Sequence, residues 1–364
     1  MKRIIIGIYL IVGILSFGQG DRFAAKLLGT ADGKIINSIN GEKIYPLASV
    51  TKMMTILVTY DAISKGEISM DDMVDIPEEM RKIGGSRIWM TVEDSLSVRD
   101  LVKATAIYSA NNAAYSLAYY VGGGDLDKFV EKMNEKAESL GMVNTNYYTP
   151  AGLPPHMTGT EMDVSTVNDI YKLSMELLKN DDYMKIASMK EAGIRNGQQR
   201  FKSRNKLLGI DGIYGIKTGH HSLAGYNISI VSKKNDLNMI EIVFGSPDEK
   251  TRDTVVLEDL DKFYIDYGYI DLLVQGEKIG TLKVEDGVES EVNFYAENNY
   301  TKLMAKNRKI EKQVTMKKDI KAPVAAGTVV GEYRLLIDGK TYLKSELRID
   351  HSIERMGFFQ RIFN

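Results

Sequence analysis

Cysteine is absent from all 364 residues. That excludes disulfides, thiolate metal sites, a cysteine nucleophile and lipid attachment through cysteine. Histidine is nearly as scarce. Among His156, His220, His221 and His351, no two stand four apart or in an H-E-x-x-H pattern, so no histidine-based metal centre is expected. Charge of one sign is lacking too: 47 basic residues face 49 acidic ones, and the net charge of -2 gives no electrostatic reason to expect nucleic acid. No segment recurs at a period of about 20 to 50 residues, and no Pro- or Ser-rich stretch is present, which argues against solenoids and long tethers.

What is present begins with Met1-Lys2-Arg3 and an apolar run from Ile4 to Phe17, shorter than the roughly 18 residues of a spanning helix. Small residues follow at Ser16, Gly18 and Gly20. Residues 1–20 are therefore expected to be a secretory signal peptide cleaved after Gly18 or Gly20, with an uncleaved anchor as the alternative. Export without cysteine points to a bacterial envelope, either the periplasm or the outer face of the cytoplasmic membrane.

The length predicts two domains. Strand-like and helix-like segments alternate through residues 21–269, an α/β (α+β) pattern. Residues 270–350 read as short strands broken by turn residues such as Gly276-Glu277-Lys278 and Asp338-Gly339, which predicts a small all-β domain. In the tail, 351–364, Ile353, Met356, Phe359, Ile362 and Phe363 stand at helical spacing against Arg355, Gln360 and Arg361. An amphipathic foot on a membrane surface and a terminal helix packed on its own domain both fit that spacing.

Three short motifs carry chemistry. In Ser49-Val50-Thr51-Lys52 the serine opens a helix marked by Met53, Met54, Ile56, Leu57, Val58 and Tyr60. Residues three apart share a helical face, so Lys52 can reach the Ser49 hydroxyl, and a lysine of lowered pKa can act as its base. The tetrad alone is weak, because Ser203-Arg204-Asn205-Lys206 has the same pattern. Ser109-Ala110-Asn111 falls between two helical stretches, where a hydroxyl and a carboxamide can relay a proton and hold an amide or an amine. It too has other matches, such as Ser38-Ile39-Asn40. Lys217-Thr218-Gly219 occurs once, beside a strand-like run; its ammonium and hydroxyl suit a carboxylate, and Gly219 would let an extended peptide approach. A capping serine and a solvated turn lysine are the bland readings of the last two. Order along the chain decides against chance: S-x-x-K, S-x-N and K-T-G follow one another as in penicillin-binding proteins and class A β-lactamases.

With Pro46-Leu47-Ala48 before Ser49, Asn112-Ala113-Ala114 after Asn111, Arg204-Asn205-Lys206-Leu207-Leu208, and His220 and Ala224-Gly225-Tyr226-Asn227 after Gly219, the chain resembles low-molecular-mass penicillin-binding proteins, the D-alanyl-D-alanine carboxypeptidases of DacA type. The resemblance extends through Lys321-Ala322-Pro323-Val324 and Leu336-Ile337-Asp338-Gly339. It implies a transpeptidase/β-lactamase-like domain, an antiparallel sheet flanked by helices, followed by a β-rich domain. It implies Ser49 as the acylated nucleophile, Lys52 as base, and Ser109, Asn111 and Lys217 in the proton network. Backbone N–H groups of Ser49 and His220 would form the oxyanion hole, while Thr218 and Arg252 would hold the substrate carboxylate. The implied substrate is a peptidoglycan stem peptide ending in D-Ala-D-Ala, with β-lactams as covalent inhibitors and no cofactor. The middle motif departs from the family pattern, with Ala110 and Asn112 where Gly and Asp are usual. The alternatives are a D,D-endopeptidase and a β-lactamase of the same superfamily, the latter lacking the E-x-x-L-N string it needs. A catalytically idle wall-binding protein is a third.

Overall fold

The computed structural model describes residues 22–91 and 93–357, so the expected signal peptide and the second half of the tail lie outside the described residues. The chain divides into two compact units between Asp261 and Lys262.

The first unit is built on an antiparallel sheet. Strands β1 (Ala25–Thr30), β2 (Ile35–Ile39), β3 (Ile213–His221), β4 (Gly225–Lys234) and β5 (Leu237–Ser246) run in the order β2-β1-β5-β4-β3. Every neighbouring pair is antiparallel, and β3, which carries Lys217-Thr218-Gly219, is an edge strand. The central helix α1 (Lys52–Ser64) buries almost its whole circumference, because Met53, Met54, Ile56, Leu57, Val58 and Tyr60 leave no polar stripe. Helices α2 (Asn111–Val121) and α3 (Val167–Leu177) join it in one core with Leu27, Ile240 and Ile242 of the sheet. Thr166 starts α3 by accepting a bond from Asp169 N at 3.1 Å.

The second unit is all β: strands Tyr267–Leu273, Lys278–Glu285, Glu291–Tyr295, Tyr300–Ala305, Ile310–Met316, Val329–Ile337 and Lys340–Arg348 enclose two apolar clusters. Asp338-Gly339 turns the last hairpin with positive φ at both residues, as the Asp-Gly signal predicts. The helical spacing of the tail misleads within the described part. Ile353 is buried and bridges Val324, and Arg355 bridges Gly287, so this stretch follows neighbouring backbone instead of closing helical turns. Among the described residues, no helix is long and apolar enough to cross a membrane, and no cluster of three His, Asp or Glu could hold a metal.

Candidate active site

Ser49 sits in a single 3-10 turn, Ala48–Thr51, that runs directly into α1. Ala48 takes a φ of 48°, uncommon for a residue with a side chain, so the turn is held by its surroundings. Two glycines supply that hold. A methyl on Gly152 would stand 1.8 Å from Ala48 O, and one on Gly219 would stand 2.8 Å from Leu47 O, 3.0 Å from Val50 N and 3.1 Å from Ser49 N. The glycine of K-T-G is thus required by the Ser49 turn packed on β3. That packing requirement stands beside the room for an extended ligand expected from sequence. Gly219→Ala is predicted to lower kcat/KM by about 100-fold, the cost of misplacing a reacting group by roughly an ångström. Steady-state D-alanine release together with thermal unfolding checks this, and an unchanged kcat/KM in folded protein would refute it.

Lys52, one helical turn beyond Ser49, is fully buried. Its Nζ lies 2.8 Å from Ser49 Oγ, 2.7 Å from Asn111 Oδ1 and 2.7 Å from Ala151 O. Burial, then the positive charge of Lys217, push its ammonium well below the ordinary lysine range, while Asp163 pulls the other way. Asn111 opens α2 and is oriented from both ends, Nδ2 donating to Gly84 O at 2.7 Å and its backbone N donating to Ser86 O at 2.6 Å. Asn112, the departure from the family pattern, is fully buried and zips onto the main chain of Ile88: Oδ1 accepts from Ile88 N at 3.1 Å and Nδ2 donates to Ile88 O at 2.8 Å. A carboxylate could make only the first of these bonds, and its charge would be buried.

Ser109 closes a π-helical turn, Ala104–Tyr108, in the left-handed conformation at φ 65°. Turns of this kind recur at functional sites. There its Oγ accepts from Lys217 Nζ at 2.9 Å. Lys217 is buried, and burial first, then the charges of Arg204 and Arg252, bring it down to about 7. Thr218 is nearly buried, and exposed His220 stacks on Tyr226 at 4.0 Å between ring centroids. Arg252 stands apart from the polar contacts of Ser49, Lys52 and Asn111. Its buried guanidinium donates to Asp253 Oδ1 at 2.6 and 2.9 Å, and reaches the site as a neighbouring positive charge on Lys217.

Sequence reasoning missed the backbone acceptors Gly84, Ser86 and Ala151, the wedge Gly152, the buried Asp163, and the electrostatic part of Arg204. Arg204 lies over the Tyr108 ring at 4.5 Å. Main-chain acceptors leave no signature in side-chain identity; only the Gly84-Gly85 doublet hinted at a special backbone, and a methyl on Gly85 would meet Asn111 Nδ2 at 2.7 Å.

The chain as a whole has relatives of known family. The D-alanyl-D-alanine carboxypeptidase family model matches residues 23–248, and a model of the penicillin-binding protein 5 C-terminal domain matches 267–355. The D-alanyl-D-alanine carboxypeptidase DacF of Bacillus subtilis is 29% identical over 342 residues, covering 92% of this chain and 86% of that protein. Penicillin binding protein 5 from Haemophilus influenzae shares 26% identity with a TM-score of 0.68, over 92% of this chain and 98% of that one. Penicillin-Binding Protein D2 from Listeria monocytogenes, solved in an ampicillin-bound form, shares 27% identity with a TM-score of 0.60, over 68% of this chain and 100% of that one. A serine and a lysine in contact at a helix start, a second lysine on an edge strand, and a family match running from Phe23 through that strand lead to one conclusion: the chain belongs to the D-alanyl-D-alanine carboxypeptidases, serine hydrolases of the penicillin-binding class.

Proposed function

We propose that Ser49 is the residue acylated when this carboxypeptidase removes the terminal D-alanine of a peptidoglycan stem peptide, and that penicillin acylates the same oxygen. The observation that carries the reading is the triple contact of Lys52. A neutral amine has two N–H groups and one lone pair. Asn111 Oδ1 and Ala151 O, each at 2.7 Å, take the two donors, which leaves the lone pair for the Ser49 hydroxyl at 2.8 Å. Ser49 Oγ then attacks the carbonyl carbon of the penultimate D-alanine while its proton passes to Lys52. Backbone N–H groups of Ser49 and His220 stabilise the oxyanion. The Lys217–Ser109 pair delivers a proton to the departing amine as the C–N bond breaks, and water then hydrolyses the Ser49 ester. Thr218 and the positive charges of Lys217 and Arg252 favour the substrate's terminal carboxylate.

Penicillin is expected to leave slowly. The buried carboxylate near Lys52, Asp163, already accepts four bonds from Tyr148 N, Thr149 N, Thr149 Oγ1 and Thr51 Oγ1, so it has no free site for a hydrolytic water. Export through residues 1–20, action at the bacterial cell wall, and peripheral membrane contact through the tail complete the proposal. Incubation with diacetyl-Lys-D-Ala-D-Ala and with dimeric muropeptides tests it. Release of free D-alanine from the first supports a carboxypeptidase, cleavage of the second alone an endopeptidase, and rapid steady turnover of benzylpenicillin a β-lactamase.

A further inference from the structure

Asp163 lies far in sequence from all three motifs, and its side chain is almost completely buried. Its main-chain carbonyl accepts from Leu47 N at 3.0 Å and its Oδ2 accepts from Thr51 Oγ1 at 3.0 Å. One residue therefore grips the nucleophile turn two positions before and two positions after Ser49. The same carboxylate accepts from Tyr148 N at 2.6 Å, Thr149 N at 2.9 Å and Thr149 Oγ1 at 2.7 Å. Thr149 Oγ1 in turn accepts from Gly152 N at 2.9 Å, which curls residues 149–152 so that Ala151 O meets Lys52 Nζ and Gly152 wedges against Ala48. Both sides of the Ser49–Lys52 contact thus trace to one carboxylate.

The charges around it are few. Lys52 on α1 feels its negative charge, and Lys217 on β3 opposes it there. From α2 and the 147–149 segment the phenols of Tyr115, Tyr147 and Tyr148 approach, all raised above the ordinary range and so neutral near pH 7, with Glu161 beside Tyr148 and Asp169 beyond Tyr147.

We propose that Asp163 is a positioning residue for acylation: it fixes the nucleophile turn and the carbonyl acceptor of Lys52, and its charge favours the ammonium that Lys52 becomes on taking the Ser49 proton. The proposal rests on Ser49 as nucleophile and Lys52 as base. Burial raises the Asp163 carboxyl to about 6, so its ionisation falls in a range a rate profile can reach. Below that pH the carboxyl is neutral and acylation slows, which places Asp163 in the acidic limb.

The test is the second-order rate of acylation by a fluorescent penicillin from pH 4.5 to 9, on the full chain, with thermal unfolding alongside. Asp163→Asn removes the charge at constant size. It is expected to lower the plateau about tenfold and move the acidic limb down by about one pH unit, since Lys52 loses its counter-charge and the carboxyl no longer titrates. Thr51→Val keeps the carboxylate but removes one of its donors, so its pKa rises and the limb moves up. If Asp163→Asn does not fold, the sign of the Thr51→Val shift decides. A limb that stays in place in the folded variants overturns the proposal even where the plateau drops, because that is what plain destabilisation would do. Wild-type protein that forms no adduct at Ser49 would instead sink the reading of nucleophile and base.

Discussion

Ser49→Ala is expected to abolish D-alanine release from diacetyl-Lys-D-Ala-D-Ala, by four orders of magnitude or more, and to eliminate the mass increment that benzylpenicillin leaves on the intact protein. The size of the effect follows from the route: without Oγ no ester can form, and the remaining oxyanion donors and charges act on a reaction that has lost its first step. The fold should tolerate the change. Ser49 is only half buried, and its side chain meets Lys52, which keeps Asn111 and Ala151 as partners. Thermal unfolding within a few degrees of wild type is the control. A penicillin adduct that persisted in folded Ser49→Ala would place the nucleophile elsewhere.

Lys52→Met is expected to slow acylation of Ser49 by about three orders of magnitude, the scale of a lost general base. Methionine nearly fills the volume while removing the amine. Two opposing effects act on stability: relief from burying a group whose charged form is penalised, and loss of the donor for Asn111 Oδ1 and Ala151 O, about 1–3 kcal/mol for each orphaned acceptor. A small net change in Tm is the expected result. Acylation kinetics with the same fluorescent penicillin separate the outcomes, since near-normal rates in the variant would remove Lys52 from the role of base.

The two copies of S-x-x-K show how far sequence reached. Lys52 and Lys206 each follow a serine by three residues. Lys52 is fully buried among Asn111, Ala151 and Lys217, which holds its pKa low. Lys206 has its side chain 69% exposed and paired with Glu249, a solvated cation. Nothing within either tetrad separates them; the apolar run after Lys52 and the order of the motifs do. Ser109, Asn111 and Lys217 are singled out in the same way, and the folded chain brings Asn111 to Lys52 and Ser109 to Lys217.

Other features were not legible. The pairing of the Arg252 guanidinium with the adjacent Asp253 is one, a contact the sequence permits without requiring. The tail looked helical because its apolar spacing suits 3.6 residues per turn, yet Ile353 and Arg355 bridge neighbouring backbone in the β unit. Spacing reports which residues are apolar, and tertiary partners choose the conformation that buries them.

The amino-acid order alone determined the reaction class, the motifs that single out Ser49 and Lys52, the switch from mixed α/β to all-β, and the exclusion of thiol chemistry, because each rests on residue identity and local spacing. Only the folded chain decided what lowers the pKa of Lys52, why position 219 must be glycine, and that Asp163 grips both sides of Ser49. Those properties are sums over burial, charge and close approach by segments up to 170 residues apart, from Ser49 to Gly219. Local sequence carries no record of such sums.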